Sequence, residues 1–194
     1  MSFLNVLVPD RRPTLETERL ILRPFRLSDA GDVQRLAGAA EVAATTLNIP
    51  HPYPRGAAEE WIRSHRPSFE EGQGVHFAIT LRDTDTLVGA IGLGITPRHD
   101  RAEMGYWIGV PYWNHGYATE AARAVVNFGF RVLGLHRICA NHFPRNPASG
   151  RVMQKVGMTL EGTLRQHVKR GEVYEDLVTY GLLRDEFMGL AGEQ

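Results

Sequence analysis

A polar turn between two apolar segments carries the clearest chemical signal in the sequence. Asn114-His115-Gly116 separates the aromatic and β-branched run Tyr106–Val110 from apolar residues that recur with helical spacing. A helix that begins after such a turn presents unpaired backbone N–H groups and the positive end of its dipole. The turn therefore suits an anion such as a phosphate, or it merely starts a helix. Glu120, in the first helical turn, weighs against the anion unless its side chain faces away.

The common nucleotide-binding fingerprints do not fit this sequence. A P-loop needs a lysine after its last glycine, and no lysine follows Gly116. The spaced glycines of Gly89–Gly94 lie inside the apolar run Leu87–Ile95, which is typical of a strand and does not open a helix. Neither a nucleoside triphosphate site nor a dinucleotide-binding fold is therefore predicted.

Alternating strand and helix signals surround this turn and would position it. Strands are predicted at Arg19–Phe25, Val75–Arg82, Leu87–Thr96, Glu103–Val110, Arg137–His142, Met158–Lys169 and Val173–Leu183. Helices are predicted after Ser28-Asp29, over Ala57–Phe69, from Gly116 to Gly134, and after Asn146, where Asn146 and Ser149 suit a helix start. The pattern predicts an α/β protein in one domain, residues 1–194, with an irregular arm at residues 1–13.

The composition is that of an ordinary soluble globule. The 194 residues are 43% hydrophobic and 23% charged, and 22 basic residues balance 22 acidic ones. This balance gives no basic field for nucleic acid, and no apolar run is long enough to span a membrane. The one cysteine, Cys139, lies in an apolar strand and is more typical of a core residue than of a nucleophile. We expect a cytoplasmic protein.

Three segments of the sequence carry a family resemblance. They are Y-W-N-H-G-Y-A-T-E-A, L-G-L-H-R-I-C-A-N and N-P-A-S-G-R-V-M-Q-K-V-G-M. With these segments the chain resembles the GNAT superfamily of acetyl-CoA-dependent N-acetyltransferases, and within it the RimJ/RimL-type branch, which includes ribosomal-protein N-terminal acetyltransferases. The likeness runs from Thr17 to about Phe187. The family's loop R/Q-x-x-G-x-G/A falls on Trp113–Ala118, with Trp113 in place of the usual Arg or Gln.

The resemblance implies a fold and a co-substrate. We expect the GNAT fold, a mixed, mostly antiparallel sheet of about seven strands that is splayed in the middle and flanked by about four helices. Acetyl-CoA is the expected co-substrate, and no metal is expected. A backbone N–H at Ile108 or a neighbour would bind the oxyanion. The residues expected to bind acetyl-CoA are Trp107, Ile108, Gly109 and Val110 for pantetheine, and Asn114, His115, Gly116, Tyr117, Ala118 and Thr119 for the pyrophosphate.

Acetylation of an amine requires a base and a proton donor for the departing thiolate. Glu103 is the first candidate base, and the alternative interpretation is a solvated strand carboxylate. His142 is a second candidate, although the pattern favours a satisfied histidine at a strand end over a base. Asn146 and Ser149 match the family's N-x-x-S, in which Asn146 contacts pantetheine and Ser149 donates to the sulfur; as a capping pair they also fit a helix start. Glu161 and Asp176 are weaker candidates for contact with the acceptor.

The acceptor is the least determined part of the prediction. It would meet the proline-rich loop Ile49–Arg55, the start of the second predicted helix and the final hairpin, with Tyr53 and Trp61 as candidate pocket walls. The resemblance implies direct transfer in a ternary complex to a primary amine, with the N-terminal α-amine of a protein such as a ribosomal protein preferred. A small amine, amino acid or antibiotic is the alternative acceptor, and a non-catalytic acyl-CoA sensor is the alternative from another class. The sequence is compatible with either a monomer or a homodimer.

Overall fold

Eight strands form one sheet in the computed structural model, which describes residue 9 and residues 11–192. The strands are β1 (Leu15–Glu16), β2 (Leu20–Arg23), β3 (Gly74–Leu81), β4 (Leu87–Thr96), β5 (Arg101–Ile108), β6 (Arg137–His142), β7 (Thr159–Arg170) and β8 (Val173–Leu183). Their spatial order is β1-β2-β3-β4-β5-β6-β8-β7, and every neighbouring pair is antiparallel except β5 and β6.

Helices pack on both faces of this sheet. In the described part of the chain they are α1 (Ala30–Ala37), α2 (Ala40–Ala44), α3 (Ala57–Glu70), α4 (Tyr117–Arg131), α5 (Pro147–Lys155) and α6 (Arg184–Gly192). The predicted mixed, mostly antiparallel α/β fold is confirmed. The short strand β1 and the helices α2 and α6 add to the expected elements, and most of the predicted irregular arm at residues 1–13 lies outside the described residues.

The sheet opens between its two parallel strands. β5 and β6 pair over three positions only, Arg101 with Arg137, Ala102 with Ile138, and Glu103 with Cys139. Beyond this point β5 continues along β4, and β6 continues along β8 as far as His142. The two strands therefore diverge just after Glu103 and leave backbone groups facing a gap in the middle of the sheet.

Strand alternation divides β5 between two cores. Met104 and Ile108 pack with α4 in a cluster that includes Val125. Trp107 packs on the opposite face with α1 and α3, in a cluster that includes Val33. Since successive side chains of a strand point to opposite faces, β5 presents one set of residues to each side of the gap.

Helix α4 has the boundaries that the sequence indicates. Gly116 precedes it in a left-handed conformation with φ of 80°, and Gly134 follows it with φ of 70°. The predicted apolar face is buried, with Ala121, Ala122 and Val125 fully enclosed. Burial of such a face stabilises a helix more than its intrinsic propensity does.

Helix α1 begins where the sequence predicts, at Ala30 directly after Ser28-Asp29, but its cap differs from the prediction. Residues Leu27–Asp29 form a 3₁₀ turn, and Asp29 occupies the cap position without a side-chain cap bond. The Asp29 carboxylate makes no cap bond to α1, because it accepts two hydrogen bonds from Arg23 at 2.9 and 3.0 Å and one from the Arg26 backbone. A buried arginine competes successfully for this carboxylate.

Candidate active site

The gap between β5 and β6 is the centre of a cleft with a volume of about 1490 Å³. One end of the cleft is lined by Asn114, residues 116–119 and the start of α5, whereas the predicted co-substrate residues Gly109, Val110 and His115 lie outside this lining. The other end is lined by the α1–α2 region, the following loop with Tyr53, and Trp61 of α3. The predicted co-substrate loop and the predicted acceptor walls thus meet in one space. Trp61 also packs edge-on against Phe25, with ring centroids 5.0 Å apart, so it belongs to the core as well as to the cleft wall.

The turn before α4 aims free backbone amides into this cleft. Asn114 and Gly116 both adopt left-handed conformations, with φ of 63° and 80°. Glu120 N donates to Gly116 O, which is the first bond of the helix, so the N–H groups of residues 117–119 have no partner within it. Trp113 anchors the turn to β5, because its indole Nε1 donates to Ile108 O at 2.7 Å. This arrangement can hold an anion without lysine.

The acidic residue in the first turn of α4 faces away from the free amides. Glu120 Oε1 accepts from Thr17 Oγ1 at 2.7 Å and from Arg19 N at 2.8 Å, and Oε2 accepts from Arg19 Nε at 2.7 Å. Burial raises the pKa of Glu120, but the hydrogen bonds from Thr17 and Arg19 and the charge of Arg19 outweigh it and lower the pKa overall. Arg19 also donates to His115 O at 3.0 Å, so one guanidinium pairs Glu120 and supports the turn.

Backbone donors of β5 point into the gap. Gly109 N donates to Val88 O of β4 at 2.9 Å, and hydrogen-bonded pairs alternate along an antiparallel ladder. The N–H groups of Ile108, Tyr106 and Met104 therefore face away from β4, towards the region that β6 has left. Ile108 N–H has the orientation that an oxyanion donor requires.

A serine and a tyrosine meet on the α4 side of the gap. Ser149 lies in the first turn of α5, and its Oγ is 2.8 Å from the Tyr106 phenol, which is also 3.0 Å from Ser149 O. Asn146 caps α5 by accepting from Ser149 N at 3.3 Å. Burial raises the pKa of Tyr106 to about 12, against the hydrogen bond to Ser149. The tyrosine therefore stays neutral. The sequence alone does not indicate its contact with Ser149.

A carboxylate lies on the opposite face, at the last paired position before the gap. Glu103 Oε1 accepts from Asn141 Nδ2 of β6 at 3.0 Å. Asn141 Oδ1 and Thr179 Oγ1, on paired positions of β6 and β8, are buried and have no hydrogen-bond partner within the described residues. Glu103 thus has a fixed orientation beside unsatisfied polar groups of the cleft wall.

The other ionisable candidates are engaged elsewhere. His142 is buried, its Nδ1 lies 2.8 Å from Phe143 O, and its ring packs against Gly150 of α5. Glu161 pairs with Arg137, whose Nη1 donates to Oε1 at 2.6 Å. Asp176 accepts from Gln166 N at 2.7 Å. Each of these groups has a structural partner elsewhere, whereas Glu103 lies beside Asn141 Oδ1 and Thr179 Oγ1, which have no hydrogen-bond partner among the described residues.

Neither a thiol nucleophile nor a metal centre is evident in the described residues. Burial, followed by the charge of Glu103, raises the pKa of the Cys139 thiol, so this cysteine stays protonated. No group of three or more His, Cys, Asp or Glu side chains within residues 9 and 11–192 could hold a metal ion. None of the helices in the same part of the chain is long and apolar enough to cross a membrane.

Known proteins share both the sequence pattern and the fold. Residues 19–159 match the family model for the acetyltransferase (GNAT) domain. The uncharacterized N-acetyltransferase YoaA of Bacillus subtilis is 35% identical over 173 residues, which cover 89% of this chain and 97% of that protein. The ribosomal-protein-serine acetyltransferase of Escherichia coli is 29% identical over 102 residues, 52% of this chain and 57% of that protein.

Solved structures share the fold over most of the chain. A GNAT acetyltransferase from Bacillus anthracis superposes with a TM-score of 0.80 at 27% identity and covers 89% of this chain and 99% of its own. Mycobacterium smegmatis RimJ in complex with CoA-disulfide has a TM-score of 0.80 at 23% identity and covers 93% and 95%. Together with the site geometry, these matches show that the chain belongs to the GNAT acetyltransferase family and is an acetyl-CoA-dependent N-acetyltransferase.

Proposed function

We propose that this enzyme transfers acetyl directly to a primary amine in a ternary complex, with the N-terminal α-amine of a protein as the preferred acceptor. The observation that carries the proposal is the placement of Glu103 and Ser149. They lie on opposite faces of the sheet at the point where β5 and β6 diverge. A base on one face and a proton donor on the other suit an amine and a thioester that approach from opposite sides.

Each residue at the gap has a part in this proposal. Acetyl-CoA supplies a thioester whose carbonyl carbon the neutral amine attacks. Glu103 accepts the proton that the ammonium group loses, directly or through water. Ile108 N–H binds the oxyanion, a contact worth about 3–4 kcal/mol in enzymes where such a donor has been removed. Ser149 Oγ gives its proton to the sulfur as the C–S bond breaks and regains one, through water, from the nitrogen of the tetrahedral intermediate, while Tyr106 holds that hydroxyl in place.

The turn before α4 and the start of α5 would hold the co-substrate. The free amides of residues 117–119 and the left-handed Asn114 and Gly116 fit a pyrophosphate. Because Ile108 O already accepts from Trp113, pantetheine would pair with the other exposed backbone groups among Trp107–Val110. Asn146 would contact pantetheine through whichever polar atoms its capping bond leaves free.

The preference for a protein N-terminus is supported by relatives rather than by geometry. Ribosomal-protein acetyltransferases occur among the relatives and the structural neighbours. Such an acceptor would place the enzyme in the cytoplasm. A wide cleft bounded by the loop that carries Tyr53 also accommodates an extended peptide end.

Thiol release from acetyl-CoA, measured against a panel of acceptors, tests this proposal. The panel contains peptides with free N-termini, the same peptides with blocked N-termini and an internal lysine, and small amines. We expect faster release with free N-termini than with the other two groups. Faster release with small amines would replace the peptide acceptor, whereas binding of acetyl-CoA with no release on any amine would favour a sensor.

A further inference from the structure

The acceptor side of the cleft has an uneven charge distribution. Glu103 is the one carboxylate that lines the cleft in the described part of the chain, and the nearest cation on its own strand is Arg101. Two residues apart on one strand, these side chains share the face of the sheet that α1 and α3 cover, about 6.6 Å apart along the strand. An anion and a cation therefore lie side by side at the point where the acceptor would enter.

Arg101 differs from the other arginines at this end of the cleft. Arg137 is paired with Glu161, and Arg145 is paired with Glu175 and bonded to Ala44 O. The side chain of Arg101 is exposed and makes no hydrogen bond or ion pair within residues 9 and 11–192. Glu103 forms no ion pair with Arg101, and the Glu103 carboxylate instead accepts a hydrogen bond from Asn141. The charge of Arg101 is available to a ligand.

Glycines leave room between these charges and the inner end of the cleft. Gly94 of β4 lies opposite Glu103, and Gly105 follows Glu103 on the same face. A Cβ atom built at Gly105 meets nothing within 4 Å, and one at Gly94 meets only Glu103 O at 3.9 Å. The cleft floor beside Glu103 and Arg101 is therefore open enough to accept part of a substrate.

We propose that the acceptor is a primary amine that carries a carboxylate a few ångströms away. Glu103 binds the ammonium group and Arg101 binds the carboxylate, while the open floor at Gly94 and Gly105 leaves room for the rest of the acceptor beside Glu103. Two sources supply this chemistry, a free amino acid and a peptide whose first residue has an acidic side chain. Polycationic amines do not fit, since the cleft lining within residues 9 and 11–192 offers them no second carboxylate. The inference rests on the proposed function, because it assigns Glu103 to the acceptor amine.

Matched acceptor pairs test the carboxylate directly. Alanine and alaninamide differ in the α-carboxylate, and Asp-Ala-Ala-amide and Asn-Ala-Ala-amide differ in the side chain of the first residue. For each pair, thiol release gives kcat/KM, and calorimetric titration of the CoA-saturated protein gives affinity without turnover. We expect the carboxylate member of at least one pair to be favoured by about tenfold or more. The favoured pair identifies the source.

Arg101→Gln then assigns the preference to one side chain. We expect it to raise KM for the favoured acceptor by about tenfold, with little effect on its neutral partner or on acetyl-CoA affinity. Arg98→Gln is the matched control, an exposed arginine outside the cleft lining that should change none of these values. The inference is overturned if the carboxylate members bind and react no better than their neutral partners, or do not bind and react at all. Turnover of neutral amines in that case leaves the proposed acetyl transfer intact.

Discussion

The phenol of Tyr106 lies 2.8 Å from Oγ of Ser149 and 3.0 Å from the Ser149 carbonyl oxygen. These contacts connect β5 on one side of the sheet opening to the first turn of α5 on the other. Tyr106 has a single proton to share between two acceptors. When Tyr106 donates its hydrogen bond to Ser149 Oγ, the serine hydroxyl is free to donate its own proton to a sulfur atom in the cleft.

Removal of the serine hydroxyl should affect turnover more than binding. We expect Ser149→Ala to lower kcat by about tenfold to a hundredfold, because the thiolate loses its proton donor, with acetyl-CoA affinity nearly unchanged. Tyr106→Phe keeps the serine and should give a smaller loss of kcat. Steady-state kinetics and calorimetric titration separate the two effects. Unchanged kcat in Ser149→Ala would remove the serine from the mechanism.

The ion pair beside the turn should control acetyl-CoA affinity. Arg19→Ala leaves the Glu120 carboxylate unpaired near the expected pyrophosphate, and we expect affinity to fall about fivefold to tenfold. The double variant Arg19→Ala/Glu120→Ala removes the repulsion and should regain part of the loss. Calorimetric titration of the wild type, Arg19→Ala, Glu120→Ala and the double variant completes the cycle. An equal loss in the single and double variants would mean that Arg19 acts without Glu120.

The open glycine floor predicts a steric filter. Gly105→Ala should fold normally, because the added methyl meets no atom within 4 Å, yet it should lower kcat/KM for large acceptors more than for small ones. Gly92→Ala is the contrasting variant, since its Cβ would lie 2.7 Å from Val75 O and should destabilise the sheet. Thermal unfolding and kinetics with a graded set of amines distinguish the two. Equal loss for every acceptor would place Gly105 outside the acceptor path.

A buried histidine predicts acid sensitivity of the fold. Burial, the adjacent His76 and Arg12 lower the pKa of His65 to about 3, and neither ring nitrogen has a hydrogen-bond partner in the described residues. Below the unfolded pKa of about 6.5, the unfolded chain binds a proton that the native state rejects, so stability falls with pH down to about 3. The expected contribution of His65 is a loss of about 2 kcal/mol between about pH 7 and about pH 5.

Urea unfolding at those two pH values measures the effect. His65→Phe keeps an aromatic ring against His76, which stacks on it at 4.4 Å, and should abolish the part of the loss that His65 contributes. Burial also lowers the pKa of His76, so the part that His76 contributes should remain. His99→Asn, at an exposed position, should retain the wild-type pH dependence. The same loss in His65→Phe as in the wild type would assign the acid sensitivity to other groups.

Local sequence patterns were sufficient for the elements with clear ends. The bounds predicted for Leu87–Thr96, Arg137–His142 and Val173–Leu183 are those of β4, β6 and β8, because each is an apolar or alternating run between turn residues. Helix α2 was missed because its five residues are too few to show a helical period. Family resemblance, rather than pattern, supplied the sheet opening.

The partners of the site residues could not be predicted from the sequence. Ser149 follows Tyr106 by 43 positions, Asn141 follows Glu103 by 38, and Glu120 follows Arg19 by 101. Each pair meets only because separate strands and helices pack together, and no local period records such contacts. The sequence therefore carries no local signal that Tyr106 meets Ser149.

Amine-dependent thiol release by Glu103→Gln tests the central claim most directly. Gln keeps the shape of the side chain but cannot accept the proton, so we expect kcat/KM at neutral pH to fall by about a hundredfold or more, with acetyl-CoA affinity unchanged. Glu60→Gln, an exposed glutamate on α3 outside the cleft lining, is the matched control and should keep wild-type activity. Wild-type turnover in Glu103→Gln would contradict the assignment of the base and of the acceptor side of the cleft.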